Sequence, residues 1–130
     1  MKTSESLEVG SVYTRAQLQE KFDIVDATIR TGIFRPKGHD SIWLFITLNK
    51  SADRVQYIDS LVGDVLLWEG QTGGRKDKSI VEHQINGLEL IVFFRHDRNQ
   101  FLGAGFLYEG PFTYKSHSGS HPASFVLSRD

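Results

Sequence analysis

The sequence predicts a mainly β domain with a short helical unit at its start, its strands curling into a small β-barrel. Three observations predict it. From residue 41 onward the apolar residues fall in short aromatic and β-branched runs, separated by turn residues at the spacing of a small barrel. Helix-compatible patterning gathers in residues 13–32. Between the later runs there is too little helix for a doubly wound parallel sheet. At 130 residues the chain suits one domain and can bury a real core unaided.

Residues 1–12 are polar and acidic and read as a flexible tail, leaving residues 13–130 as the domain, with residues 41–127 forming the barrel. Thr14 with Gln17 three residues on is a capping-box pattern, and Leu18 and Phe22 make an i,i+4 apolar pair, so one short helix starts here. Asp26 caps a second turn over residues 27–30, which Gly32 stops. Residues 42–47 are apolar without alternation, as in a strand covered on both faces, by the barrel interior and by the N-terminal helix. Val55, Tyr57 and Ile58 fit a short strand or a helical turn equally. Residues 62–64 read as a turn into a strand at 65–69, and residues 70–78 as a loop rich in glycine and charge. Residues 80–83 fit a strand edge or a short helix. Asn86-Gly87 is a hairpin signal leading into a strand at 88–95. Residues 97–99 are a polar turn, and residues 101–108 a strand bent by Gly103 and Gly105. Gly110-Pro111 marks another turn, with short strands at 112–114 and 124–127. That makes about six strands.

Composition narrows the function. With no cysteine there is no disulfide, thiolate metal site or cysteine nucleophile, which is compatible with the reducing cytoplasm, where we expect the chain. No apolar run is long enough to span a bilayer, and the start lacks a signal peptide's pattern, so no membrane partner is expected. The net charge of −1, from 15 basic and 16 acidic residues, does not mark a general polyanion binder. The charge is unevenly spread, however. Acid dominates residues 5–26. Basic residues gather at Arg30, Arg35, Lys37 and His39, at Arg75, Lys76 and Lys78, at Arg95, His96 and Arg98, and at Lys115, His117 and His121. A sorted distribution of this kind can present a positive face.

Signatures of catalysis are missing. There is no phosphate-binding Gly-Lys-Ser/Thr loop, no His-Glu-x-x-His and no Gly-x-Ser-x-Gly elbow. His117 and His121 would need two further ligands to hold zinc, and read better as exposed loop histidines. Asp77 and Glu82 flanking Lys78 are a poor match to a metal-dependent nuclease. We expect no catalytic residue, no metal and no cofactor. The richest segment is 64–78, where a strand ends in Trp68 and delivers a cationic loop. Its glycines, Gly73 and Gly74 among them, let backbone amides approach an anion, and Arg75, Lys76 and Lys78 can contact phosphate. The alternative is a solvated loop in which glycine only serves the turn. Trp68 and Tyr57 suit the core or a pocket that stacks on a planar ligand. An extended segment would put Tyr57 and Asp59 on one face, an aromatic beside an acceptor for cytosine N4.

Trp68-Glu-Gly-Gln-Thr-Gly-Gly-Arg75, Asn86-Gly-Leu-Glu-Leu90 and Gly105-Phe-Leu-Tyr-Glu-Gly-Pro-Phe112 together resemble the SRA-like (SET and RING-associated) domains, which recognise methylated cytosine. Phe34-Arg-Pro-Lys-Gly38, Ser41-Ile-Trp-Leu-Phe45, Asp53-Arg54, Gly63-Asp64 and Tyr114-x-Ser-His-Ser-Gly-Ser120 resemble, more closely, a domain of modification-dependent restriction systems. There it accompanies phospholipase-D-like nuclease and helicase domains, or an HNH nuclease. This second resemblance runs from about residue 13 to 127.

The resemblance implies an SRA/PUA-like barrel that flips a modified base, of the 5-methylcytosine type, out of double-stranded DNA into a pocket of two aromatics and an Asp. Trp68 falls on one aromatic; Tyr57 and Asp59 are the nearest candidates for the others, with Asp53 or Asp64 as alternatives. Glu69 replaces the family's small residue at the pocket rim. The family's inserting finger is shortened here to Arg75-Lys-Asp-Lys78. Backbone contacts are expected from Arg35, Lys37, Gly73, Gly74, Arg75, Lys76, Lys78, Lys115 and His117. Cutting is expected from a separate domain or partner. The alternatives are an RNA- or nucleotide-binding PUA-like barrel, and a protein-interaction module of a defence complex.

Overall fold

The computed structural model describes residues 2–48, 60–70, 76–119 and 123–129. Two-residue strand β1 (Val12–Tyr13) leads into helix α1 (Arg15–Lys21). The capping box forms as expected: Thr14 Oγ1 accepts from Gln17 N–H, and Gln17 Oε1 accepts from Thr14 N–H. Asp26 caps the next turn, a 3-10 turn over Ala27–Arg30, by accepting from Thr28 N–H. Then come β2 (Ile33–Phe34), β3 (Ser41–Thr47), β4 (Ser60–Val62), β5 (Val65–Glu69), helix α2 (Asp77–Val81), β6 (Glu89–Arg95), β7 (Phe106–Ser118) and β8 (Ser124–Ser128).

The domain is mainly β, with strand order β2-β3-β6-β7-β8-β5-β4 and β1 added beside β7. β3 and β6 pair in parallel, in register from Ser41↔Glu89 to Thr47↔Arg95; the other pairs are antiparallel. The sheet does not close into the expected barrel. Among the described residues β2 pairs only with β3 and β4 only with β5, so the two ends stay open. Closure requires the first and last strands to pair, and two- and three-residue strands offer little ladder for that.

The sheet still curls, and β7 is the reason. Two bulges bend it, one at Glu109-Gly110 opposite Val92 and Phe93, and one at Lys115. The first part of β7 pairs with β6 and the rest with β8. Gly110-Pro111 thus lies at a bulge inside one long strand and is not a turn. Gly110 supplies φ +91°, and Pro111 is tolerated beside the irregularity.

Folding the sheet over β7 makes two cores. Inside the curl lie Ile42, Leu44 and Ile46 of β3, Leu90, Val92 and Phe94 of β6, and Leu66, Trp68, Phe125 and Leu127 of β5 and β8, with Ile80 of α2. On the outer face Trp43, Phe45, Ile91 and Phe93 meet Leu18 and Ile29 of the helical lead-in. The unbroken apolarity of β3 and β6 follows: alternate residues serve different cores.

Of the strand edge and the short helix that residues 80–83 fit, the structure has the helix: they form the end of α2 and the turn after it. Two local readings are corrected. Asn86-Gly87 therefore exits a helix and does not join two strands; Gly87 takes φ +69° and Leu88 N–H donates to His83 O. Residues 101–105 form a 3-10 turn over Leu102–Ala104, so β7 starts only at Phe106.

The chain start is docked, not a loose tail. Thr3 is fully buried; its N–H donates to Ser41 Oγ, and its Oγ1 accepts from Trp43 Nε1 at 3.0 Å and lies 2.6 Å from His39 Nδ1. Ser4 N–H and Oγ–H, with Ser41 Oγ–H, all donate to the Glu89 carboxylate. Polar residues here mark a buried hydrogen-bond network, which composition does not distinguish from solvation.

Candidate nucleic-acid interface

The alternation of β5 sets the site. Leu66 and Trp68 point into the curl while Val65 and Leu67 are exposed. Opposite them, β8 places Phe125 against Trp68 and Ser124 against Glu69, and β7 places His117 against Phe125. At this end of the three strands is an open, mainly apolar cavity of about 300 Å³, lined by Trp68, Glu69, Ser116, His117, Ser124 and Phe125 among others. That volume is at the small end of ligand pockets.

Its walls are aromatic. Trp68 stacks on Phe125 with centroids 5.5 Å apart and planes at 28°. The exposed His117 ring lies 5.7 Å from Phe125 at 34°. Tyr114 Oη sits 2.6 Å from His117 Nδ1, which fixes the imidazole's orientation. Trp68 is thus both a core residue and a cavity wall, which reconciles the two roles its sequence context allowed.

Behind the cavity α2 begins at Asp77. Its Oδ1 is buried without a hydrogen-bond partner. A Cβ on Gly70 would fall 2.9 Å from this oxygen and 2.9 Å from Phe125 Cε2, so the backbone passes between carboxylate and ring. Only glycine fits. An unsatisfied buried acceptor costs free energy unless something donates to it. Gly70 and Asp77 border the segment 71–75.

The sequence candidates divide. Trp68, Glu69 and His117 converge on the cavity. Lys115 sits at the neighbouring bulge of β7, exposed. Lys78 is exposed on α2, whereas Lys76 Nζ donates to Ile33 O at 3.0 Å and is partly buried. Arg35 and Lys37 are exposed just after β2 and do not line this cavity. Asp64 lies at the far end of β5, 2.9 Å from Arg129 Nη1, and takes no part. Tyr57, Asp59, Asp53, Gly73, Gly74, Arg75 and His121 lie outside the described residues.

Sequence reading missed Phe125 and Ser124, because they reach the site only through β5–β8 pairing. Asp77 and Glu82, a poor match to a nuclease in sequence, bracket the five-residue α2. Among the described residues no three His, Asp or Glu side chains gather as a metal site, and no helix is long and apolar enough to cross a membrane.

No protein-family model matches the chain, and no curated protein does. The fold, however, is one found in a restriction enzyme. The solved structure is that of the modification-dependent TagI restriction endonuclease, with a TM-score of 0.56 and 19% identity. The match covers 95% of this chain and 50% of that one, so the present chain spans half the length of the enzyme it resembles.

Proposed function

We propose that this domain reads a modified base, of the 5-methylcytosine type, in double-stranded DNA and serves as the specificity module of a restriction or defence system. Cutting is assigned to a separate nuclease domain or partner. The observation that carries the reading is that Trp68, the aromatic of the SRA-like glycine motif, packs in the core and also forms a wall of an open cavity. The fold shared with part of a modification-dependent restriction endonuclease supports it.

In this reading a flipped base enters between the Trp68–Phe125 stack and the His117 ring. Aromatic contacts of about 1–3 kcal/mol per base offset an unstacking cost of a few kcal/mol. The acceptor for the exocyclic amine of cytosine is Asp59, the carboxylate nearest to Tyr57 in sequence. Lys78, Lys115 and the 71–75 segment supply phosphate contacts.

The test is fluorescence-polarisation binding, at two salt concentrations, to matched duplexes carrying cytosine, 5-methylcytosine or 5-hydroxymethylcytosine, with single-stranded RNA as control. The expected result is a preference of about tenfold or more, roughly 1.4 kcal/mol, for one modified duplex. His117→Ala, at an exposed position, should abolish the preference without unfolding the protein. Equal binding to every duplex rejects base reading, and tighter binding to the RNA moves the assignment to an RNA-binding domain.

A further inference from the structure

Four arginines from three segments of the chain meet at the other end of β7. Arg15 of α1, Arg30 of the 3-10 turn, Arg95 at the end of β6 and Arg98 just beyond it line a cleft of about 550 Å³ with Thr14 and Ala104. Among the described residues no carboxylate oxygen comes within 4.0 Å of any of these guanidinium groups. Four like charges facing one cavity repel, and an anion relieves that repulsion.

Two of the four are held rigidly. Arg15 Nε donates to Ile29 O at 2.9 Å, and its guanidinium lies 4.4 Å from the Phe45 ring centre and 4.9 Å from that of Phe106. Arg95 donates through Nε to Thr47 Oγ1 at 2.8 Å and through Nη1 to Ala104 O at 2.7 Å, with Phe106 3.9 Å beneath it. The remaining terminal nitrogens, both of Arg15 and one of Arg95, have no partner among the described residues. Fixed, planar donors of this kind suit an oxyanion. Ala104, whose carbonyl anchors Arg95, is held at φ +57°, a strained conformation for a residue with a Cβ. Arg30 and Arg98 are exposed at the rim.

We propose that this cleft is a phosphate-binding site, separate from the aromatic cavity, and that it seats a backbone phosphate of the DNA that the cavity reads. The phosphate chemistry stands on the arginines alone; its source rests on the function proposed above. Burial, with Arg95 and Arg30 nearby, pulls the Arg15 pKa down to about 10, which still leaves it charged at neutral pH. The cleft and the cavity lie at opposite ends of the 13-residue β7. At about 3.3 Å per residue they are at most about 40 Å apart, the order of one turn of duplex.

The experiment uses the full chain and the double variant Arg30→Gln/Arg98→Gln, which changes only exposed side chains. Pyrophosphate is titrated while the Nε–H resonances of Arg15 and Arg95 are followed by NMR, and duplex affinity is measured against salt. We expect saturable shifts of both resonances, pyrophosphate affinity at least about fivefold weaker in the variant, and a salt slope shallower by about 0.9 for each phosphate that is no longer neutralised. The preference for a modified base should persist in the variant and be lost in His117→Ala. No shift with pyrophosphate, or equal affinity of both proteins for it, overturns the phosphate site. Weakened pyrophosphate binding with an unchanged salt slope overturns the backbone assignment and leaves a site for free phosphate compounds. If no duplex binds at all, the DNA reading fails while the pyrophosphate arm still decides the cleft.

Discussion

Gly70 and Ala104 are single positions where backbone and side-chain demands conflict in opposite senses. A methyl group at Gly70 would press on both Asp77 Oδ1 and the Phe125 ring at 2.9 Å. Gly70→Ala should therefore destabilise by about 1–3 kcal/mol, the range for overpacking a filled interior, and should weaken ligand binding at the Trp68 cavity. A urea melt that leaves stability unchanged would show that the ring and carboxylate move aside freely. Ala104 carries a Cβ at φ +57°. Ala104→Gly should remove left-handed strain of about 1–2 kcal/mol and give back about 0.5–1 kcal/mol in chain entropy. The net gain should be about 0.5–1 kcal/mol in the same melt; a loss of that size would mean the conformation is not strained.

Among the elements, the turn that follows α2 is tied to the sheet by one histidine. His83 Nδ1 lies 2.7 Å from Leu88 O and donates to it, and Nε2 accepts from Tyr114 N–H at 3.1 Å. Accepting from Tyr114 requires the neutral ring, whereas the bond to Leu88 is made by either form. Burial lowers the His83 pKa, outweighing the Leu88 hydrogen bond that raises it, and burial likewise lowers that of His39. The unfolded chain takes up these protons near its ordinary value of about 6.5, before the folded chain does. Stability should thus be level above about pH 6.5 and fall as pH drops through the depressed folded values. His83→Gln keeps one donor and one acceptor and does not titrate. Urea midpoints at pH 7.5 and pH 5 should differ less in this variant than in the parent; an equal difference would place the pH dependence elsewhere.

At the scale of the whole molecule the chain start completes the outer core. Thr3 bridges to Trp43, His39 and Ser41, close to forty residues away in each case. Thr3→Val preserves shape but leaves the buried Trp43 indole N–H without its acceptor. It should cost about 1–3 kcal/mol and lower the melting temperature. An unaffected melting temperature would mean that these residues contribute little to the fold. The curl of the sheet over β7 also places the aromatic cavity and the arginine cleft at opposite ends of one strand.

Local chemistry determined much of this protein by itself. The Thr14 capping box, the Asp26 cap, the doubly covered strand β3, and the placement of β5, β6 and β8 were legible because each rests on residues a few positions apart. Trp68, Glu69 and His117 were legible as site candidates through their residue types and motif. Only the tertiary structure decided what depends on pairing across the chain. An Asn-Gly pair marks a left-handed residue, but whether it joins strands or ends a helix depends on what precedes it in space. Gly110-Pro111 stays inside a strand because β6 pairs across it on both sides of the bulged Glu109. Phe125 reaches Trp68, and Arg15 reaches Arg95, only through sheet register and helix docking. The open sheet likewise follows from strand lengths and edge pairing, which no short window of sequence encodes.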